Sequence, residues 1–312
     1  MAVPPGLDLV GVVKAGGVGK DGALEMAVGE TLSNDFSMLV PEPEADFFLP
    51  QDIIDHLERI EKLSGKHPVN VLVAGKQGCG KSTLVRQFAA RNRRPLATFQ
   101  VGILSEPGQL FGDMRLKDGE TYYRQFLFPQ AIQTPGCVIH LEEINRPEHP
   151  KALNMLFSVL AEDRRVWTDE LGLIKVAPGV VFFATLNEGE EFVGVEMLDA
   201  ALRDRFYVTL MDYLPPDVEL EVLRRKTGLD EESAAAIVNI ANRLRGNSRE
   251  PVMVSTRHTL MIAELVTMGA SIREAFVYSL QVSRDILEST LLSMHLEMGH
   301  TKSDDGRTYR PY

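Results

Sequence analysis

The sequence has few cysteines and no long apolar run. Its two cysteines, Cys79 and Cys137, are too few for a disulfide framework, so we expect a reducing compartment. No stretch reaches the roughly 18 apolar residues of a membrane-spanning helix. The N-terminus lacks the basic region and apolar run of a secretory signal. We therefore expect a cytoplasmic protein without a membrane-spanning segment.

The chain also has a deficit of positive charge. Lys and Arg number 33 against 44 Asp and Glu, which gives a formal net charge of -11. An acidic chain has no general attraction for the phosphate backbone of nucleic acids or for an anionic membrane surface. The charge therefore argues against a nucleic-acid or membrane partner. At roughly 100–200 residues per domain, the 312 residues predict about two domains.

The hydrophobic pattern predicts an α/β domain followed by an all-α domain. Near-continuous apolar strands are expected at residues 69–74, 96–102, 137–141 and 180–186, and helices at 50–63 and 81–90. Strands of this kind, separated by helices, indicate a parallel sheet covered on both faces. After Pro215-Pro216 the periodicity becomes helical throughout, at residues 218–229, 232–245, 256–268 and 271–295. We assign the α/β domain to 46–214 and the helical domain to 215–298.

Four further segments lie outside this scheme. Residues 1–45 are rich in glycine and form either a hairpin or a flexible arm, and residues 299–312 form a polar tail. Asp118-Gly119 predicts the turn of a hairpin within residues 110–128. A second hairpin is expected at 165–176.

A glycine-rich loop carries the clearest chemical signal. Residues 75–82 read GKQGCGKS, between an apolar strand and a helix. In this context the loop amides wrap phosphates, the lysine reaches the β- and γ-phosphates, and the serine binds Mg²⁺. The candidate nucleotide-binding residues are Gly75, Gln77, Gly78, Cys79, Gly80, Lys81, Ser82 and Thr83. Cys79 is either an oxidisable thiol or, the favoured interpretation, a small residue that fits the loop.

A pair of acidic residues follows a later apolar strand. Glu142 and Glu143 end the run VIHLEE, about 60 residues after Lys81. Glu142 would orient Mg²⁺, largely through water, and Glu143 would polarise an attacking water as general base. Acidic residues also favour helix N-termini, which is the non-catalytic alternative.

Two later motifs carry weaker signals. Asn187 ends the strand ATLN, where a polar side chain can hold the attacking water, although asparagine also favours strand ends for local reasons. In ALRDRF, Arg203 and Arg205 follow a short helix. They are either ordinary cations at a helix C-terminus or arginine fingers that reach a neighbouring subunit's γ-phosphate.

Together these motifs resemble the AAA+ superfamily and, more narrowly, the MoxR family with its CbbQ/NorQ-type ATPases. The resemblance covers residues 50–295 and rests on GKQGCGKS, IHLEEINRP, ATLN, ALRDRF and VSTRHTL. Some ATPases similar to these act in gas-vesicle assembly. The implied fold is a P-loop AAA+ core, in which helices flank a parallel sheet, with a small all-α lid.

The resemblance also implies roles for residues. Asn187 would align the attacking water, and Arg205 would be the finger acting in trans, with Arg203 as a second candidate. Arg257 in VSTRHTL would contact the γ-phosphate from the lid. Glu142 departs from the family, which has aspartate there, and this departure predicts slow hydrolysis.

The implied assembly is a ring of six copies that binds ATP and Mg²⁺. The two hairpins would face its central pore, although no pore motif can be assigned. The ring would act as a chaperone or activase that remodels a protein client, together with a partner that has a von Willebrand factor A domain. Two rival functions are a nucleic-acid motor, against which the charge argues, and a nucleotide-gated scaffold with little turnover.

Overall fold

A computed structural model describes residues 12–13, 40–117, 119–147, 150–187, 198–246, 252–280 and 284–297. The chain divides into two compact units at the peptide bond between Asp212 and Tyr213, and the short segment Asp46–Phe48 belongs to the second unit. Most of the predicted arm at residues 1–45, and the whole tail 299–312, lie outside the described residues.

The first unit contains the strands and five of the described helices. The strands are β1 (Val12–Val13), β2 (Val69–Gly75), β3 (Leu96–Gln100), β4 (Gly112–Lys117), β5 (Glu120–Gln125), β6 (Val138–Glu142), β7 (Arg165–Thr168), β8 (Gly172–Lys175), β9 (Val181–Asn187) and β10 (Tyr207–Met211). The helices are α1 (Gln51–Ser64), α2 (Lys81–Arg91), α3 (Leu127–Ile132), α4 (Asn154–Val159) and α5 (Ala200–Arg203).

The core of the first unit is a parallel sheet with the strand order β10-β2-β9-β6-β3. All seven residues of β2 are buried, because helices cover the sheet on both faces. Successive side chains of β9 show the two faces: Phe182 packs in the cluster that includes Phe128 and Leu156, whereas Phe183 contacts Phe88 of α2. The predicted α/β core is confirmed.

The prediction of four core strands was incomplete. A fifth strand, β10, pairs in parallel with β2, and among the described strands it has no second neighbour in the sheet. Its side chains alternate between exposed and buried, with Thr209 and Met211 buried. Its sequence, YVTLM, is apolar except at Thr209 and is as long as those of β3 and β6, so the pattern for a core strand was present.

Two antiparallel hairpins accompany the sheet. Strands β4 and β5 pair with each other, and Gly119, just before β5, takes a left-handed conformation (φ 83°). Strand β1 joins the outer side of β5. Strands β7 and β8 form the second hairpin. The sequence predicts hairpins in both of these segments. A third possible hairpin, in residues 1–45, lies outside the described residues except for β1.

The second unit is helical in its described part. Its helices are α6 (Pro216–Thr227), α7 (Glu231–Arg245), α8 (Thr256–Thr267), α9 (Ile272–Ser279) and α10 (Arg284–Glu297). The prediction of one helix over 271–295 was wrong, because the chain becomes extended at Leu280 (φ -115°, ψ 138°). The Leu280 side chain is buried in the apolar core of this unit, and ending α9 there allows that burial.

Candidate active site

The glycine-rich loop connects β2 to α2 and depends on glycine conformations. Gly78 (φ 72°) and Gly80 (φ 98°) are both in the left-handed region, which L residues with a side chain rarely adopt. Gly80 is the N-cap of α2 and provides no side-chain cap. The amides of the first helical turn, including those of Ser82 and Thr83, are therefore oriented as donors for an anion.

The Lys81 side chain lies back along this loop and is only 8% exposed. Its ammonium donates to the carbonyl oxygens of Gly75 at 2.9 Å and Lys76 at 2.7 Å. An ammonium can rotate among several acceptors. The structure thus holds a buried positive charge within the loop, close to the amides that start α2.

Two other loop side chains contact the end of β10. The Lys76 ammonium pairs with the Asp212 carboxylate at 2.9 Å, and both groups are largely exposed. The Cys79 thiol is buried 3.9 Å from the Met211 carbonyl oxygen. Burial raises the pKa of this thiol, and the charge of Lys81 offsets only part of that effect. The thiol is thus held protonated, which supports the interpretation of Cys79 as a small residue that fits the loop.

Glu142 ends β6 with its side chain largely buried (19% exposed). Gln100, at the end of the neighbouring strand β3, donates from Nε2 to the Glu142 carboxylate. His140, two residues before Glu142 in β6, places its Nδ1 3.8 Å from Glu142 Oε1. Gln100 of the neighbouring strand therefore holds this carboxylate in place.

Glu143, the next residue, has a left-handed backbone (φ 55°), which is uncommon for a residue other than glycine. Its carboxylate pairs with the Arg146 guanidinium at 2.9 Å. Gly102 lies against this turn, because a β-carbon on Gly102 would be 3.0 Å from Arg146 Cβ and 3.2 Å from Glu143 Cβ. The chain after β3 thus supports the turn that carries Glu143.

Asn187 ends β9 directly opposite Gly75 in the parallel ladder. Its carbonyl oxygen accepts a hydrogen bond from Asn145 Nδ2 at 3.2 Å, and Ile144 N donates to the Thr185 carbonyl at 3.0 Å. The turn after Glu143 is therefore bonded to the end of β9. The sheet brings the start of the glycine-rich loop, the acidic pair and Asn187 to one edge, where the parallel strands end.

The two candidate finger arginines lie at α5 and just after it. Asp199 caps α5 by accepting from Ala201 N at 2.8 Å. Arg203 is exposed. The Arg205 guanidinium donates to the Ala201 carbonyl oxygen and lies 5.3 Å from the centre of the Phe157 ring. These contacts hold Arg205 on the surface next to α4.

Arg257 belongs to the second unit, as the second residue of α8. It is exposed, whereas Ser255, the N-cap residue before it, is buried. The Ser255 hydroxyl accepts from His258 N at 3.3 Å, which gives the helix a side-chain cap.

The sequence matches two described families in succession. Residues 70–206 match "AAA domain (dynein-related subfamily)", and residues 219–284 match "CbbQ/NirQ/NorQ C-terminal". A Thauera aromatica protein named "Putative chaperone BssE" is 65% identical over 266 residues, covering 85% of this chain and 93% of that protein. The chain belongs to the MoxR family of AAA+ ATPases, in the CbbQ/NirQ/NorQ group.

A more distant relative and one solved structure also match this chain. Protein NorQ of Paracoccus denitrificans (strain Pd 1222) is 30% identical over 236 residues, covering 74% of this chain and 85% of that protein. A RuvB mutant from Thermotoga maritima superposes with a TM-score of 0.52 at 19% identity, covering 83% of this chain and 74% of that one, and shows the fold alone. The family resemblance drawn from the motifs is confirmed, and membership implies an ATPase that binds a nucleotide.

The sequence did not lead us to predict three residues at this site. Gln100 contacts Glu142, Arg146 contacts Glu143, and Asn145 contacts the main chain of Asn187. Gln100 had a detectable signal, because it is a polar residue near the predicted end of an apolar strand, as Glu142 is. Asn145 and Arg146 lie in the motif IHLEEINRP, but their contacts depend on the turn that Glu143 makes.

Proposed function

We propose that this chain binds ATP with Mg²⁺ at residues 75–82, hydrolyses the nucleotide, and uses the cycle to remodel a protein client. The observation that carries the proposal is the meeting of three parts at one edge of the sheet: the glycine-rich loop, the acidic pair and Asn187. Each part has the chemistry that the reaction needs, and strand pairing holds the loop next to Asn187.

The loop fits a triphosphate. Glycine conformations at Gly78 and Gly80 leave room for phosphate, and the buried Lys81 ammonium would exchange its carbonyl partners for phosphate oxygens. Further contacts are assigned to Gly75, Gln77, Cys79, Ser82 and Thr83. Mg²⁺ would be held by the Ser82 hydroxyl and, through water, by Glu142, because oxygen donors suit this ion. The metal would neutralise charge on the phosphates.

Water activation would depend on two residues. Glu143 accepts a proton from the attacking water as general base, and Asn187 orients that water. In the described contacts Arg146 holds the Glu143 carboxylate, so the base is paired with a cation. That pair and the presence of Glu142 instead of aspartate both favour a low basal turnover.

A complete site requires a second subunit. Arg205, with Arg203 as the alternative, would stabilise the γ-phosphate charge of a neighbouring copy. A head-to-tail interface of this kind closes into a ring, and six copies is the expectation. Arg257 would contact the γ-phosphate of its own subunit. In this scheme residues 46–214 are the nucleotide-binding domain and 215–298 the lid.

The client-facing surface is assigned to the two hairpins. Met114 and Leu116 on β4 are 57% and 74% exposed, and Trp167, 65% exposed, lies directly opposite the half-exposed Leu173 in the second hairpin. Exposed apolar groups of this kind suit contact with protein rather than with nucleic acid. The name of the Thauera aromatica relative supports a chaperone role. We also propose that the chain acts together with a partner that has a von Willebrand factor A domain.

The direct test compares wild type with Glu143→Gln. We expect both proteins to bind ATP equally well, whereas phosphate release by Glu143→Gln falls by a factor on the order of 10²–10⁴. Equal rates in the two proteins would reject hydrolysis at this site and favour the scaffold function.

A mixing experiment tests the shared site. Lys81→Met would greatly weaken ATP binding and Arg205→Ala would remove the finger, so each variant alone should have little activity. Mixed rings should recover part of the turnover, because a Lys81→Met subunit still offers Arg205 to a neighbour with an intact loop. Full activity of Arg205→Ala alone would reject the assignment.

A further inference from the structure

A buried ion pair in the second unit links α6 to α7. Glu219 of α6 is completely buried, and its two carboxylate oxygens accept hydrogen bonds from Arg245 Nη1 at 2.8 Å and Nη2 at 2.9 Å. Arg245 is the last residue of α7. The Tyr213 ring lies 4.6 Å from the Arg245 guanidinium. A buried pair with two-point contact has a fixed geometry, because separating its charges would leave each one desolvated and unpaired.

Each member of this pair also bonds to a residue close to Arg257, and these two bonds lie on either side of it. Arg245 Nε donates to the Val254 carbonyl oxygen at 2.6 Å, three residues before Arg257. Glu219 Oε1 accepts from the Thr259 hydroxyl at 2.7 Å, two residues after it. Val254 and Thr259 are both completely buried, whereas Arg257 is exposed. One ion pair therefore holds both ends of the turn that presents this arginine.

The same turn is also closed locally. Ser255 and His258 form a reciprocal capping box, in which Ser255 N donates to His258 Nδ1 at 3.2 Å and His258 N donates to the Ser255 hydroxyl. Helix starts fray when their amides lack partners. The first turn of α8 therefore has both a side-chain cap and a bond to the buried ion pair, although its arginine, Arg257, is exposed.

We propose that Glu219, Arg245 and Thr259 are positioning residues for Arg257. They fix the backbone that carries the guanidinium, so that less conformational freedom is lost when Arg257 contacts a phosphate. The inference rests on the proposed contact of Arg257 with the γ-phosphate. Its consequence is selective: loosening the turn weakens binding of a nucleotide with a γ-phosphate and leaves ADP binding unchanged.

The test uses the full chain with Mg²⁺ and measures affinities for ADP and for a non-hydrolysable ATP analogue. Thr259→Val removes the hydroxyl and leaves the ion pair in place. We expect affinity for the analogue to fall about five-fold, the effect of one hydrogen bond, with ADP affinity unchanged. Thr267→Val is the matched control in the same helix, because the Thr267 hydroxyl donates to the Ala263 carbonyl of its own helix. This control should change neither affinity, and Thr259→Ser should restore selectivity.

Arg257→Ala separates this inference from the proposed function. Alone it should reduce the preference for the analogue over ADP, and adding Thr259→Val should cause no further change. If Arg257→Ala leaves the preference intact, the proposed γ-phosphate contact is wrong. If Arg257→Ala reduces it but Thr259→Val has no effect, or lowers both affinities equally, the positioning role is wrong.

A second variant covers the case in which Thr259→Val does not fold. His258→Ala opens the capping box without touching the ion pair. It should produce the same selective loss, to a smaller extent. Unchanged selectivity in a folded His258→Ala protein would also contradict the positioning role.

Discussion

A β-carbon on Gly75 would lie 2.0 Å from the carbonyl oxygen of Met211. The glycine-rich loop can begin at this point only because β10 passes against a residue without a side chain. We expect Gly75→Ala to displace the end of β10 or the loop, to cost about 1–3 kcal/mol of unfolding free energy, and to weaken nucleotide binding. Urea unfolding and nucleotide titration measure the two effects.

Gly108→Ala is the control for that substitution. Gly108 lies in a short 3-10 helix, and a β-carbon there would meet nothing within 4 Å. We expect a change within about 0.5 kcal/mol and unaltered binding. A Gly75→Ala protein as stable as the Gly108→Ala protein would show that the close approach to Met211 has no energetic consequence.

Arg146→Ala tests whether the ion pair restrains the general base. The Arg146 guanidinium is half-exposed, so its pair with Glu143 contributes about 1 kcal/mol or less. Freed from this ion pair, the Glu143 carboxylate should be more available to the attacking water, and turnover should rise by up to about five-fold with ATP affinity unchanged. High salt should have a similar effect on wild type, because salt screens exposed pairs.

Arg165→Ala provides the matched comparison for this variant. Arg165 forms an exposed pair of similar length, 2.8 Å, with Asp163. Its loss should leave turnover unchanged. A fall in turnover of ten-fold or more in Arg146→Ala would instead place Arg146 among the groups that support catalysis.

His140 should make the protein sensitive to mild acid. Its side chain is 2% exposed, and burial lowers its pKa from 6.5 to about 4. Because the folded-state pKa is the lower one, the stability that depends on the neutral imidazole is fully present above pH 6.5. It is lost as the pH falls towards 4, by about 3 kcal/mol in total.

Urea unfolding at pH 7.5 and pH 4.5 measures this loss. His140→Asn should reduce the difference between the two pH values, whereas a substitution of the exposed His67 with asparagine should leave it as in wild type. The same pH dependence in His140→Asn as in wild type would contradict the assignment.

The parts predicted well from the sequence are those in which one local pattern suffices. Residues 75–82 combine an apolar strand, a glycine spacing and a helix start, and the structure has all three. Strand β10 was missed although it is as long as β3 and β6 and its sequence is apolar except at Thr209. Helices α9 and α10 were merged because the break at Leu280 serves core packing and carries no glycine or proline.

The contacts around the site depend on distant parts of the chain. Gln100 and Glu142 are brought together by the pairing of β3 with β6, and Glu219 meets Thr259 across 40 residues. A sequence pattern indicates which residues have the right chemistry. Which of them touch is decided by strand register and by turns such as the left-handed one at Glu143.

The most direct test of the account is the affinity of Lys81→Met for ATP with Mg²⁺, compared with wild type and with Lys76→Met. Lys76 lies in the same loop, but its ammonium is exposed and pairs with Asp212. We predict that Lys81→Met loses affinity by about a hundred-fold, since charge-assisted hydrogen bonds to phosphate are lost, and that Lys76→Met changes by less than about five-fold. ATP binding by Lys81→Met as tight as that of wild type would contradict the account.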